Sequence, residues 1–547
     1  MKTKVLLAVI TSFILWQCSN TKSLPKWEPY DESQELASNA NHENPRLRFK
    51  RLQSQHTNKN DWFVPFEQEL ASFQLRYEAL KPYILEQSIP SLQAAVAAGT
   101  FSYEELTLFY LYRIYHYETD PKRYLNAIIN LNPNVLDEAR EKDKHPELAG
   151  EFPLYGMPLL VKDNINTFGI PTTAGAAAFQ NNLPQKEAFI VQQLKAQGAL
   201  ILGKLNLSEW AYYFCAGCPL GYSALGGQTL NPYGRKIFES GGSSSGSGVA
   251  AAANYAVATI GTETSGSILS PAAKNALVGL KPTIGAVSRS GIIPISSTFD
   301  TAGPMTKWVI DNLLLYNALI GYDASDPYSY AAQPLEVATL DAASLKGKRF
   351  GVVDTDASDT LLQRAVQEIK NAGAHVVEVS LPKLDIATFL KILDTDMKVD
   401  LPNYISRYGN PSLKVKNIAD IIAFNNQDTT KHAPYGQALF ENIAQDTTDY
   451  NAFQIQKKVF MNELTQAMED LLEANQLDAL LTLDYFTSSH LATAHYSAIG
   501  VPIGYYADGK PQNMSIIARG KQEQLLIEIA AAFEKIVRHR KPPELYP

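Results

Sequence analysis

Five short, nearly continuous apolar runs constrain this chain most: MPLLV (157–161), ALILG (199–203), AVATIG (256–261), RFGVV (349–353) and AHVVEV (374–379). Runs of this length predict strands buried on both faces. The amphipathic EAFIVQQLKAQG (187–198) separates the first two and predicts a crossover helix ending at a glycine. SYEELTLFYLYRIY opens with Ser102 and Glu105 at capping-box spacing, and Leu106, Phe109, Tyr110 and Ile114 recur on one helical face. That aromatic stripe reads as core. The alternation predicts an α/β fold, a single large domain whose central mixed, largely parallel twisted sheet is flanked by helices. A hydrophobic content of 45% over 547 residues suffices to fill such a core. Residues 383–470 break the rhythm and predict a helical insertion covering one end of the sheet.

The N-terminus reads as a targeting segment. Lys2 and Lys4 precede an apolar run of 11 residues, Val5 to Leu15, which is too short to span a membrane. Cys18 and the polar SNTKSLPK follow, a pattern similar to a bacterial lipoprotein signal, although Gln17 stands where a small residue is usual. The expectation is a signal peptide over 1–18 with Cys18 as candidate lipid anchor, and a polar extension or tether over 19–60. The mature protein is then expected outside the cytoplasm, as a periplasmic, membrane-anchored lipoprotein. A net charge of −8 without a long basic run excludes a nucleic-acid partner. Three cysteines exclude a disulfide-built fold. CAGC (215–218) lies between YYF and PLGYS instead of at a strand-to-helix junction, so a structural or incidental pair is the better reading. A short-range disulfide fits that reading, and no second pair completes a metal site.

The stretch FESGGSSSGSGVAAAANYAVATIGTETSGSILSPAA (238–273) holds eight serines and six glycines. Its composition suits a linker, and equally a loop that approaches a reacting group. No histidine lies between His145 and His375, so a serine nucleophile here lacks the usual base. Gly242 to Gly246 match a G-x-S-x-G elbow, but NPYGRKIFES precedes them where that motif needs a buried strand. Gly246, Gly248 and Ala251 fail the dinucleotide fingerprint by the same test. A lysine can replace histidine if burial leaves its amine neutral. Lys162 ends a predicted strand, where α/β sheets place sites. Taken alone, a lysine snorkelling from a strand end fits that motif as well.

The motif of Lys162 is the first of an ordered series: GMPLLVKDNI, KLNLSEWA, GGQTLNPY, GGSSSGSG, GTETSGSILSPAA and VGLKPTIGAVSRSGIIP. The series resembles the amidase signature family from about residue 66 to the end, and its wording is most similar to the peptide amidase branch. The resemblance implies an amidase domain over 61–547, with a signature core at about 155–305. It implies a Ser–Ser–Lys triad: Lys162 as a base that is neutral at rest, Ser243 as the bridging serine after a cis peptide bond, and Ser267 as the nucleophile. Backbone N–H groups of Thr264, Ser265, Gly266 and Ser267 would form the oxyanion hole, where one donor is typically worth about 3 kcal/mol. The implied reaction is hydrolysis of a carboxamide to a carboxylate and ammonia or an amine, through an acyl-enzyme. No metal or organic cofactor is implied, and the partner is a small-molecule or peptide amide.

A hydroxyl both donates and accepts, so Ser243 can pass the proton of Ser267 to Lys162. Several positions depart from the common family pattern. Glu263 stands for an aspartate, Ser245 and Ser265 for glycines, and Leu269 for an arginine that the peptide amidase branch also lacks. None removes a triad member. The pocket is expected to draw on 209–229, where EWAYYFCAG would supply aromatic walls or simply core, and on the insertion. Two other readings are the A subunit of a glutamyl-tRNA amidotransferase, opposed by the signal segment and acidic charge, and a catalytically silent binding lipoprotein, opposed by the intact triad.

Overall fold

The apolar runs become strands of one sheet. A computed structural model describes residues 24–537 and 539–547, so the signal segment and Cys18 lie outside the described residues. Among the described residues the strands are β1 (Ile128–Leu131), β2 (Pro158–Lys162), β3 (Leu200–Leu205), β4 (Tyr222–Ser223), β5 (Gly227–Gln228), β6 (Ala258–Glu263), β7 (Val278–Lys281), β8 (Thr301–Thr306), β9 (Arg349–Val353), β10 (His375–Val379), β11 (Ala479–Leu483), β12 (Ser497–Tyr505) and β13 (Pro511–Ala518). A small hairpin pairs β4 with β5. The others form an 11-stranded mixed sheet in the order β1-β3-β2-β6-β8-β7-β12-β13-β11-β9-β10. Pairing is parallel within β3-β2-β6 and within β11-β9-β10. Antiparallel pairings through β8, β7, β12 and β13 join the two blocks.

Helices flank this sheet, as the alternation predicts. Phe189–Ala196 crosses from β2 to β3, and Ser245–Ala252 leads into β6. Tyr103–Glu118 starts at the expected capping box: the Ser102 hydroxyl accepts from the Glu105 N–H, and the Glu105 carboxylate accepts from the Ser102 N–H. Its Leu106, Phe109, Tyr110 and Ile114 are all in the core. AHVVEV differs from its reading as a buried strand. It is the edge strand β10, with only Val379 buried, because no further strand covers its outer side.

The tether expectation for 19–60 fails over residues 24–60, which are packed onto the domain. Trp27, Leu47, Phe49 and Leu52 are buried. The Asn39 amide donates to the carbonyls of Leu47 and Lys236, and the Leu52 carbonyl accepts from the Asn126 amide and the Gln228 N–H. A few apolar anchors and polar side chains turned to backbone groups hold a segment whose average composition is hydrophilic.

The region 383–470 is helical, chiefly Ile386–Tyr408, Ala438–Gln445 and Tyr450–Ala474. Phe389, Ile392, Leu393, Met397 and Leu401 form a second core with Phe179, Trp210, Phe214 and Phe299. Among the described residues no helix is long and apolar enough to cross a membrane.

Leu52 separates an integral N-terminal segment from a tether. Its side chain is fully buried in the main core, so Leu52→Ala is expected to cost about 3 kcal/mol in chemical denaturation. A loss below about 0.5 kcal/mol, typical of an exposed position, would contradict the packing described here.

Candidate active site

Two neighbouring strand ends create the site. β2 and β6 run parallel, with Leu159 opposite Ala258 and Val161 opposite Ile260, so their C-terminal ends emerge side by side. Lys162 is the last residue of β2 and is 0% exposed. Its Nζ lies 2.8 Å from Ser243 Oγ, 2.8 Å from Thr262 Oγ1 and 3.3 Å from the Thr262 carbonyl. All three neighbours are uncharged. Burial pushes the amine down to about 7, against the pull of Asp300 and Glu263, which favour the ammonium.

Ser243 sits in the turn before helix Ser245–Ala252, and the Gly242–Ser243 peptide is cis. The Ser208 N–H donates to the Ser243 carbonyl (3.0 Å). Neighbouring serines stitch the turn to β6. Ser244 Oγ donates to the Thr262 carbonyl (2.9 Å) and accepts from the Thr262 N–H (3.2 Å), while Ser245 Oγ donates to the Gly241 carbonyl (2.6 Å). Gly246 permits the close approach of the helix, because a Cβ there would fall 2.5 Å from the carbonyl oxygens of Ala127 and Asn206.

Ser267 follows β6 on the loop that leads into helix Leu269–Lys274 and is 9% exposed. Its carbonyl accepts from the Ser244 N–H (3.3 Å), which joins the two serine loops. Glu263 Oε2 accepts from the N–H groups of Ile268 (2.6 Å) and Leu269 (3.0 Å) and so fixes the turn behind Ser267. Among the described residues no protein acceptor takes the backbone N–H groups of Ser265, Gly266 or Ser267. Gly266 adopts φ +89°, and a Cβ there would fall 2.7 Å from the Tyr485 ring. The Ser265 hydroxyl lies 3.0 Å from that of Ser488 and 3.1 Å from that of Ser489. Thr264 donates through Oγ1 to Asp300 Oδ1 (2.6 Å), whose carboxyl burial pushes up to about 6.

The structure therefore brings Lys162, Ser243 and the 264–267 loop together, with four supporting groups that sequence reasoning missed and a contact of Glu263 that it did not foresee. Thr262 contacts the amine, Asn164 donates to Thr262 Oγ1 (3.0 Å), Asp300 holds Thr264 and Tyr485 packs on Gly266, while Glu263 accepts from two backbone N–H groups. A cavity of about 780 Å³, open mouth included, ends against Thr262, Thr264 and Asp300. Its wall includes Ala211 and, from the insertion, Tyr404 and Arg407. Ser243 and Ser267 are not in this wall; Thr262 and Thr264 connect it to them. Cys215 and Cys218 form a disulfide, and the Tyr212 hydroxyl donates to the Cys218 carbonyl beside it. Among the described residues no group of three or more His, Cys, Asp or Glu side chains could hold a metal ion.

An amidase family model matches residues 105–484. The chain is 35% identical over 480 residues to a probable amidase of Arabidopsis thaliana, covering 84% of this chain and 92% of the relative. An amidase family protein from Bacillus anthracis superposes with a TM-score of 0.85 at 34% identity, over 91% of this chain and 100% of that one. The native peptide amidase from Stenotrophomonas maltophilia superposes with a TM-score of 0.77 at 37% identity, over 84% and 99%.

The depressed amine can be measured directly. Carbon-13 NMR of the lysine Cε positions, assigned with Lys162→Met, is expected to show one lysine titrating near pH 7. A Lys162 midpoint near the ordinary value of about 10.4 would contradict the burial of the amine among uncharged hydrogen-bond partners.

Proposed function

The chain belongs to the amidase family, and on that premise we propose that Lys162, Ser243 and Ser267 hydrolyse a carboxamide as a Ser–Ser–Lys triad. The family and its peptide amidase neighbours make this an amide-hydrolysing enzyme. The proposed substrate is a peptide C-terminal amide or another acyl or aryl amide. Similarity to a peptide amidase supports the first.

One observation carries the mechanism: a fully buried amine, to which no carboxylate among the described residues is bonded, 2.8 Å from a serine hydroxyl. A neutral amine has two N–H bonds and one lone pair. The Thr262 carbonyl can only accept and takes one N–H bond, and in the proposed resting state Thr262 Oγ1 takes the other. The lone pair is then left for the Ser243 hydroxyl. In the proposed first step Ser267 Oγ attacks the amide carbon, its proton moves to Ser243, and the proton of Ser243 moves to Lys162. The oxygen charge that develops is taken up by the free N–H groups of the 265–267 loop. The Lys162 ammonium returns a proton through Ser243 to the departing nitrogen, which leaves as ammonia or amine. Water then attacks the acyl–Ser267 ester, passing a proton through Ser243 to Lys162, and the ammonium returns a proton through Ser243 to Ser267 Oγ as the ester bond breaks and the carboxylate product leaves.

The test is ammonia release from a panel of peptide, acyl and aryl amides by the native protein and its variants. Ser267→Ala and Lys162→Ala are each expected to lower kcat by about 10⁴-fold or more while remaining folded, as for other serine nucleophile and base deletions. Undiminished turnover in folded Ser267→Ala would overturn the mechanism.

A further inference from the structure

A line of hydrogen bonds connects the helical insertion to the 264–267 loop. Helix Tyr450–Ala474 carries Lys457 and helix Ile386–Tyr408 carries Asp396, and their side chains form a buried ion pair at 2.8 Å. Lys457 Nζ also donates to Thr298 Oγ1 (2.9 Å). The second Asp396 oxygen accepts from the hydroxyls of Ser296 and Thr298, both at 2.6 Å. The Ser296 N–H donates to Asp300 Oδ2 (3.0 Å), joined there by the Ile295 N–H (2.8 Å). The other Asp300 oxygen accepts from Thr264 Oγ1 (2.6 Å). A second grip runs beside it, the Ser297 N–H donating to Asp400 Oδ2 (2.6 Å) from the same insertion helix. Lys457, Asp396, Ser296, Thr298 and Thr264 are all buried, and Asp300 closes the line at the cavity wall.

Such a pair contributes little to stability. The desolvation penalty of two buried charges offsets most of their attraction, and apolar residues of similar volume often serve the fold as well. Its distinctive property is geometric. Asp396 spends both oxygens on Lys457 and on the 296–298 turn, so the turn cannot shift without breaking a charged contact. That turn presents the two backbone donors that aim Asp300 at Thr264. We propose that Lys457 and Asp396 are positioning residues for the oxyanion loop, through which the helical insertion sets the alignment of the 264–267 N–H groups. The proposal rests on the reading of that loop as the oxyanion site. Neither residue touches the reacting atoms; both act through Ser296, Thr298 and Asp300.

The experiment uses the full chain carrying Lys457→Met with Asp396→Leu, which removes both charges together and leaves neither buried alone. Expected is a cooperative unfolding transition near that of the native protein, kcat lower by about 10- to 100-fold, and KM within about threefold, as for a misaligned transition-state contact. Hydrogen exchange read by mass spectrometry is expected to quicken in a peptide covering 264–268. A folded double variant with native kcat and native exchange at 264–268 would overturn the proposal. So would faster exchange confined to 386–408 and 450–474. If the double variant does not fold, Thr298→Val decides by the same exchange measurement, because it removes one hydroxyl from the line and leaves the ion pair in place. Lys457→Arg is expected to restore most of the kcat lost in Lys457→Met. The exchange readout needs no substrate, so a native protein that hydrolyses no amide would overturn the proposed function without deciding the coupling.

Discussion

The amine of Lys162 stands at the dry end of β2 with three oxygen neighbours and no carboxylate among them. Burial disfavours the charged form, so a lysine that would be an ammonium in solution is brought down to about 7, the condition that the proposed base role requires. The surrounding architecture preserves that condition. A carboxylate bonded directly to Nζ would stabilise the ammonium and remove the lone pair from Ser243. Glu263 Oε2 and both Asp300 oxygens instead accept from backbone and hydroxyl donors of the adjoining loop segments.

The same parallel pairing that brings β6 alongside β2 delivers the other two serines. The turn before helix Ser245–Ala252 is tied to Thr262 at the end of β6, and the Ser267 loop leaves from that strand one residue beyond. Small residues are needed where the layers touch. Gly246 sits against two carbonyl oxygens and Gly266 against the Tyr485 ring, positions at which any side chain would collide. The abundance of serine and glycine in 238–273 is thus a packing requirement at a crowded junction. Ser244 and Ser245 bond backbone groups and hold the turn that presents Ser243.

That Lys162, Ser243 and the Ser267 loop come together was legible in the sequence because each belongs to a local motif, and the order of the motifs is itself a pattern. The α/β alternation was legible for a similar reason, since consecutive apolar residues in β2, β3 and β6 reflect burial on both faces. β8 and β13 were not, because TAGPMT and PQNMSIIA carry proline or polar residues that a strand tolerates only with its partners in place. Thr262, Asn164 and Asp300 share that difficulty. Their contacts depend on strand register and on a loop returning from residue 295, neither of which has a local signature. The close packing of residues 24–60 was not legible because average polarity conceals four buried anchors, Trp27, Leu47, Phe49 and Leu52.

The most direct test of Lys162 as a neutral base is the pH dependence of the acylation rate in single-turnover kinetics on an amide the enzyme accepts. The rate is expected to rise with pH through a midpoint of about 7 and level off above it, because only the unprotonated amine can take the proton of Ser243. A rate independent of pH between about 5 and 9, or one still rising at the ordinary lysine value of about 10.4, would contradict the account.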